Sequence, residues 1–265
     1  MEPSRALVAR VDSHSAYRAL LTERAQAQVL RLVAGFDGWY DHDAISRMTA
    51  EVVKYVEAAQ RGVAVATDAY LAQVATEIVG RTIRPVGSID PTELREGITH
   101  QGVYGRLADQ YRYRTSLGLP HDQVMAGVID RLGVLVATDM ALAFTHQARR
   151  VMESSPLISG YRRIIRPEMS NGGACGLCLA ASDRWYSRGD LLPLHDRCVC
   201  TVLPIRGDDD PGRLLNRDEL DRLYEDAGTT RRDDLVKTRY RIEKNGEIGP
   251  VLVNEKHAHR GPRDL

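Results

Sequence analysis

Cysteine is scarce in this chain: the four present are Cys175, Cys178, Cys198 and Cys200, and the rest of the 265 residues hold none. No apolar run approaches the roughly 18 to 20 residues a membrane span requires, because charges such as Asp130, Arg131 and Asp139 break the longest ones. Net charge is also missing, at 36 basic against 36 acidic residues, and the balance holds on either side of Arg150. Without a bulk positive field, phosphate neutralisation would have to come from a local patch. Lysine is nearly absent, with Lys54, Lys237, Lys244 and Lys256 the only ones among the 36 basic residues. The opening Met1-Glu2-Pro3-Ser4-Arg5-Ala6-Leu7 lacks the apolar core of a signal peptide, so a soluble protein outside the disulfide-forming compartments is expected.

What is present is concentrated. The cysteines form the pattern Cys175-x2-Cys178-x16-His195-x2-Cys198-x-Cys200, five soft ligands within 26 residues. This is zinc-site spacing: a Cys-x-x-Cys turn aims two thiolates at one tetrahedral ion, and Gly172, Gly173 and Gly176 supply backbone freedom for it. A tetrahedral site takes four of the five. If Cys198 and Cys200 are extended, their i, i+2 spacing puts both on one face and favours four thiolates with His195 alongside; in a turn, His195 and Cys198 could form the second pair. Either arrangement fills every position with protein, which makes the site structural and not catalytic. Disulfide or redox pairing of the four cysteines is the competing reading.

The fold class expected is mainly α, with a long-helix bundle followed by a small α+β zinc knuckle and an extended C-terminal arm. Boundaries fall at 1–155 for the bundle, 156–206 for the knuckle, 207–239 for a linker with short helices, and 240–265 for a hairpin and arm. Helical periodicity runs from Ser13 to Val33 and from Asp43 to Val79. After Arg84-Pro85-Val86-Gly87-Ser88, the capping signal Asp90-Pro91-Thr92-Glu93 predicts a third helix ending near Ser116, and a fourth reaches about Glu153. Members of about 35 residues span roughly 50 Å, which suits an extended scaffold. His100, His121 and His146 stand alone on these helices and read as ordinary surface or core histidines. Beyond Pro156, Tyr161–Arg166, Trp185-Tyr186, Leu191-Leu192 and Cys200–Ile205 read as short extended pieces. Asp208-Asp209-Asp210-Pro211-Gly212 reads as a solvated linker, Asn216–Asp226 as a helix capped by Asn216, and Asn245-Gly246 as a hairpin turn.

From Ile165 to Ile205 the chain resembles the MuF-like domain of phage minor head proteins. The resemblance lies in Arg166-Pro167, Cys175-Gly176-Leu177-Cys178, the aromatic pair Trp185-Tyr186, and above all His195-Asp196-Arg197-Cys198-Val199-Cys200. Glu247–Leu252 and His259–Pro262 are similar to the C-terminal arm of such proteins in phages of actinobacteria, often labelled capsid maturation protease. The resemblance covers about the last 100 residues; the helical half matches by architecture only. It implies a virion protein of the head interior at the portal vertex, present in several copies and assembled in the host cytoplasm. The implied partners are the portal protein and major capsid or scaffold protein, with packaged DNA as a further contact and no membrane.

The protease label finds no support in the residues. The chain has no Gly-x-Ser-x-Gly elbow, and cysteines clustered for metal are not free nucleophiles. A non-catalytic role is therefore expected. The alternative is a zinc-stabilised DNA-binding protein or a nuclease of the ββα-metal type, suggested by His195-Asp196 and by Arg162, Arg163, Arg166 and Arg184. Such a nuclease needs a downstream His or Asn for a second metal, and His257 and His259 lie far along in the arm.

Overall fold

A computed structural model describes residues 3–166, 169, 178, 181–193, 198–218, 220 and 221, together with the backbone of 240–245 and 249–254. The fold is mainly α, with four long helices preceding a small antiparallel sheet. Helix α1 spans Arg5–Ala34, α2 His42–Val79, α3 His100–Ser116 and α4 His121–Ser154. Strands β1 (Gly160–Ile164), β2 (Trp185–Ser187) and β3 (Thr201–Ile205) form a sheet in the order β2-β1-β3. A short helix α5 covers Pro211–Leu215, and β4 (Tyr240–Asn245) pairs with β5 (Gly249–Asn254), Asn245 opposite Gly249. Among the described residues no helix is long and apolar enough to cross a membrane.

Side chains at the helix ends explain where the elements begin. Ser4 caps α1 by accepting from the Leu7 N–H at 3.0 Å, so the helix starts eight residues before the apolar stripe at Ser13. Asp41 caps α2 by accepting from the N–H groups of Asp43 and Ala44, and Gly80 closes it in the left-handed conformation. The expected helix start at Asp90 is corrected: Asp90 caps only the single 3₁₀ turn Pro91–Glu93. Gly97, at φ +72°, breaks the path, and Thr99 caps a new helix by accepting from the Gly102 N–H. Two buried side chains hold the intervening loop on the bundle. Asp68 accepts from the N–H groups of Val86 and Gly87, while Gln147 accepts from Ile89 and donates to the Gly87 carbonyl.

One hydrophobic core serves both halves. Val11, Val29 and Val33 of α1 pack with Val52, Val56 and Val63 of α2 and with Val136, Phe144 and Met152 of α4. The same cluster continues through Tyr161 and Ile164 of β1 and Val202 and Leu203 of β3. Inside the bundle Arg95 grips Asp139 through Nε at 2.9 Å and Nη2 at 2.6 Å, and the Tyr104 hydroxyl donates to the other carboxylate oxygen at 2.6 Å. Burial first, and then the Asp139 charge, hold the Tyr104 phenol well above its ordinary value.

Two further expectations change beyond the sheet. Asp210 is no solvated linker residue: it pairs with Arg162 at 2.6 Å and caps α5 by accepting from the Arg213 N–H. Asn216 uses its amide on β1, accepting from the Ile165 N–H and donating to the Arg163 carbonyl, while its own carbonyl takes the Leu220 N–H. The rest of the expected Asn216–Asp226 helix, the Asn-Gly turn beyond Asn245 and the arm from residue 255 lie outside the described residues.

Candidate metal centre

Three of the five candidate ligands are described, and the fold brings them together. The sulfurs of Cys178, Cys198 and Cys200 all lie within 4.8 Å of one another, and none of the three forms a disulfide. Cys175 and His195, with the glycines 172, 173 and 176, lie outside the described residues. A zinc ion bound at about 2.3 Å to each sulfur sets neighbouring sulfurs about 3.8 Å apart, so a cluster of this size fits a tetrahedral ion. Any ion of similar preference for thiolates fits as well.

Local chain geometry explains the convergence. Cys198 and Cys200 enter β3, which begins at Thr201, and their i, i+2 spacing turns both thiols to one side. Cys178 arrives from the segment preceding β2 and packs with Ala181 against Cys200. Cys178 and Cys200 are buried, and Cys198 is half-buried beside a cavity of about 160 Å³ that Arg18 and Glu23 also line. His100 is a core histidine at 3.6 Å from Glu57 and 3.8 Å from Asp139, and His121 packs edge-on against Tyr111. Neither belongs to the thiol cluster, and nor does His146.

The cluster's surroundings keep its thiols neutral in the absence of an ion. A hydrogen bond from Cys178 lowers the Cys200 thiol, but its contact with Cys198, burial and the Cys198 charge outweigh that and push it well above its ordinary value. Crowded buried thiols stay protonated on their own. A divalent ion reverses this, because the metal–thiolate bond takes the place of the proton.

The helical half grips the second cysteine pair from behind, which the cysteine spacing gives no sign of. Arg18 of α1 donates from Nη1 to the Cys200 carbonyl at 3.1 Å and from Nη2 to the Val199 carbonyl. Tyr70 of α2 donates to the Val202 carbonyl at 3.1 Å, and its ring stacks on His14 at 4.2 Å. Burial, with Arg18 nearby, lowers His14 to about 3, so it is a neutral ring, 3.2 Å from the Thr67 hydroxyl. In return, Arg206 just after β3 donates to the Val79 carbonyl at the end of α2.

Three of the four arginines that suggested a phosphate contact are engaged within the fold. Arg162 binds Asp210 and the Ser182 carbonyl, Arg163 is buried and donates to the Leu192 carbonyl, and Arg166 pairs with Asp12 at 2.7 Å. Arg184 alone of the four is exposed. No family model matches this chain, and neither does any curated protein or solved structure.

Proposed function

We propose that the chain is a structural, MuF-like minor capsid protein of a phage head. In this reading it sits in the head interior at the portal vertex and acts in head morphogenesis or in DNA packaging and ejection. The observation that supports it is the convergence of Cys178, Cys198 and Cys200, the residues that carry the resemblance, behind a rigid set of long helices. The cluster is read as a structural zinc site. With Cys198 and Cys200 both drawn in, Cys175 completes a four-thiolate set and His195 is the spare ligand. The long helices are the docking surface for portal, major capsid or scaffold protein, and the role is non-catalytic.

The runner-up, a zinc-stabilised DNA-binding protein or nuclease, draws less support. Three of the four arginines that suggested it are engaged within the fold, and a closed zinc site does not activate water. A maturation protease draws least, for want of a nucleophile on a suitable turn. Mass spectrometry of purified particles from the genome that encodes the chain tests the proposal. The chain is expected in the head fraction, together with portal and at a few copies per particle; its absence from particles would overturn the reading. Plasmid nicking with magnesium or manganese would revive the nuclease.

A further inference from the structure

Two buried arginines near the thiol cluster have no carboxylate partner among the described residues. Arg18, 7% exposed, makes its hydrogen bonds to the carbonyls of Val199 and Cys200 and lies over the Phe144 ring at 4.5 Å. Arg163, 2% exposed, reaches the Leu192 carbonyl and lies over the Tyr161 ring at 5.9 Å, and its Nε has no hydrogen-bond partner among the described residues. The other buried or half-buried arginines near them have acids: Arg162 has Asp210, Arg166 has Asp12, and in the bundle Arg95 has Asp139. Carbonyls and rings solvate a guanidinium but do not neutralise it, and an uncompensated buried charge is strongly destabilising.

The missing negative charge is available next door. Arg18 lines the same small cavity as Cys198, and its guanidinium lies 3.1 Å from the Cys200 carbonyl. Arg163 lies opposite Val202 in the sheet, two residues along from Cys200. A dication held by three thiolates is singly negative, and one held by four is doubly negative. Two guanidiniums balance the second of these. We infer that Arg18 and Arg163 are the counter-ions of an anionic metal–thiolate centre, and that Arg18, reaching across from α1, couples the helical half of the protein to the loaded centre. The inference rests on the reading of the cluster as a metal site. Arg18 is a positioning residue: it touches the backbone of the ligand segment and not the ion.

The test is zinc affinity, by competition with a chromogenic chelator on the full chain, measured alongside urea unfolding of the metal-free protein. Arg18→Met keeps much of the side chain's bulk and removes the charge. It is expected to weaken zinc binding about 10- to 100-fold, the usual effect of losing an outer-shell partner, while leaving the metal-free unfolding midpoint unchanged or higher. Arg163→Met is expected to act in the same direction. Arg18→Lys keeps the charge and is expected to recover most of the loss; should Arg18→Met not fold, Arg18→Lys decides alone. A zinc affinity for Arg18→Met within about twofold of the parent, or equal losses of stability with and without zinc, would overturn the inference, as would Arg18→Lys binding as weakly as Arg18→Met. Zinc titration of the parent chain tests the metal-site reading separately: a parent that binds no zinc removes that reading and this inference together, whereas a parent that binds tightly beside an indifferent Arg18→Met removes only the inference.

Discussion

Arg95 and Arg18 are both buried arginines that tie distant segments to the helical bundle, and they are neutralised in different ways. Arg95 meets a carboxylate head-on, with Tyr104 completing the shell of Asp139. That pair is closed within the bundle and needs nothing from outside it. Arg18 meets two carbonyls and an aromatic face, so in the inferred counter-ion role its neutralisation depends on what the thiols hold. On the inference above, the sheet module reaches its full stability only with a cation in place. Among the described residues the main apolar core runs between the helices and into the sheet, while Cys178, Ala181 and Cys200 form a small cluster of their own.

The largest effect should come from breaking the thiol side. Cys200→Ser is expected to abolish zinc binding and remove several kcal/mol from the sheet module, seen as lost metal stoichiometry and a lowered thermal midpoint, with the bundle's helical circular dichroism largely kept. Next comes the bundle side: Asp139→Ala leaves Arg95 buried without its partner and should cost about 3 to 5 kcal/mol in urea unfolding. Arg95→Met combined with Asp139→Leu should restore most of that loss, and neither change should alter zinc stoichiometry. Spread over several pH units, and so smaller per unit, is the acid response of His14. Its folded value of about 3 lies below the ordinary 6.5, so the unfolded chain binds the extra proton. The His14 contribution is therefore complete above pH 6.5 and is lost as the pH falls from there towards 3. Its slope is about 1.4 kcal/mol per pH unit, and His14→Phe, which keeps a ring against Tyr70, should flatten that part of the curve. The smallest expected effect is Thr99→Ala, which removes the cap that restarts α3 and should cost about 1 kcal/mol without touching the metal.

Much of the helical half was legible because periodicity is a local signal. The apolar stripes of α2 and α4 stand in the sequence as they stand in the core, whereas in α1 the expected Tyr17, Leu20 and Leu30 are exposed and the core face is Leu7, Val11, Ala25, Val29 and Val33. The start of α3 was not legible, since Asp90-Pro91 carries a sound capping signal and only Gly97, seven residues on, cancels it. Asp210 and Asn216 were misread for another reason: their partners, Arg162, Arg163 and Ile165, lie about 50 residues away, where no local rule reaches. The thiol cluster divides the same way. Spacing alone pointed to Cys178, Cys198 and Cys200, but Arg18 lies 182 positions from Cys200, and nothing around it in α1 distinguishes it from a surface arginine.

Metal analysis tests the central claim most directly: plasma mass spectrometry on protein purified without added metal, with thiol titration before and after chelation. The expected result is about one zinc per chain, with thiols that react only once the ion is withdrawn. Metal-free protein whose cysteines titrate freely, or are paired as disulfides, would contradict it.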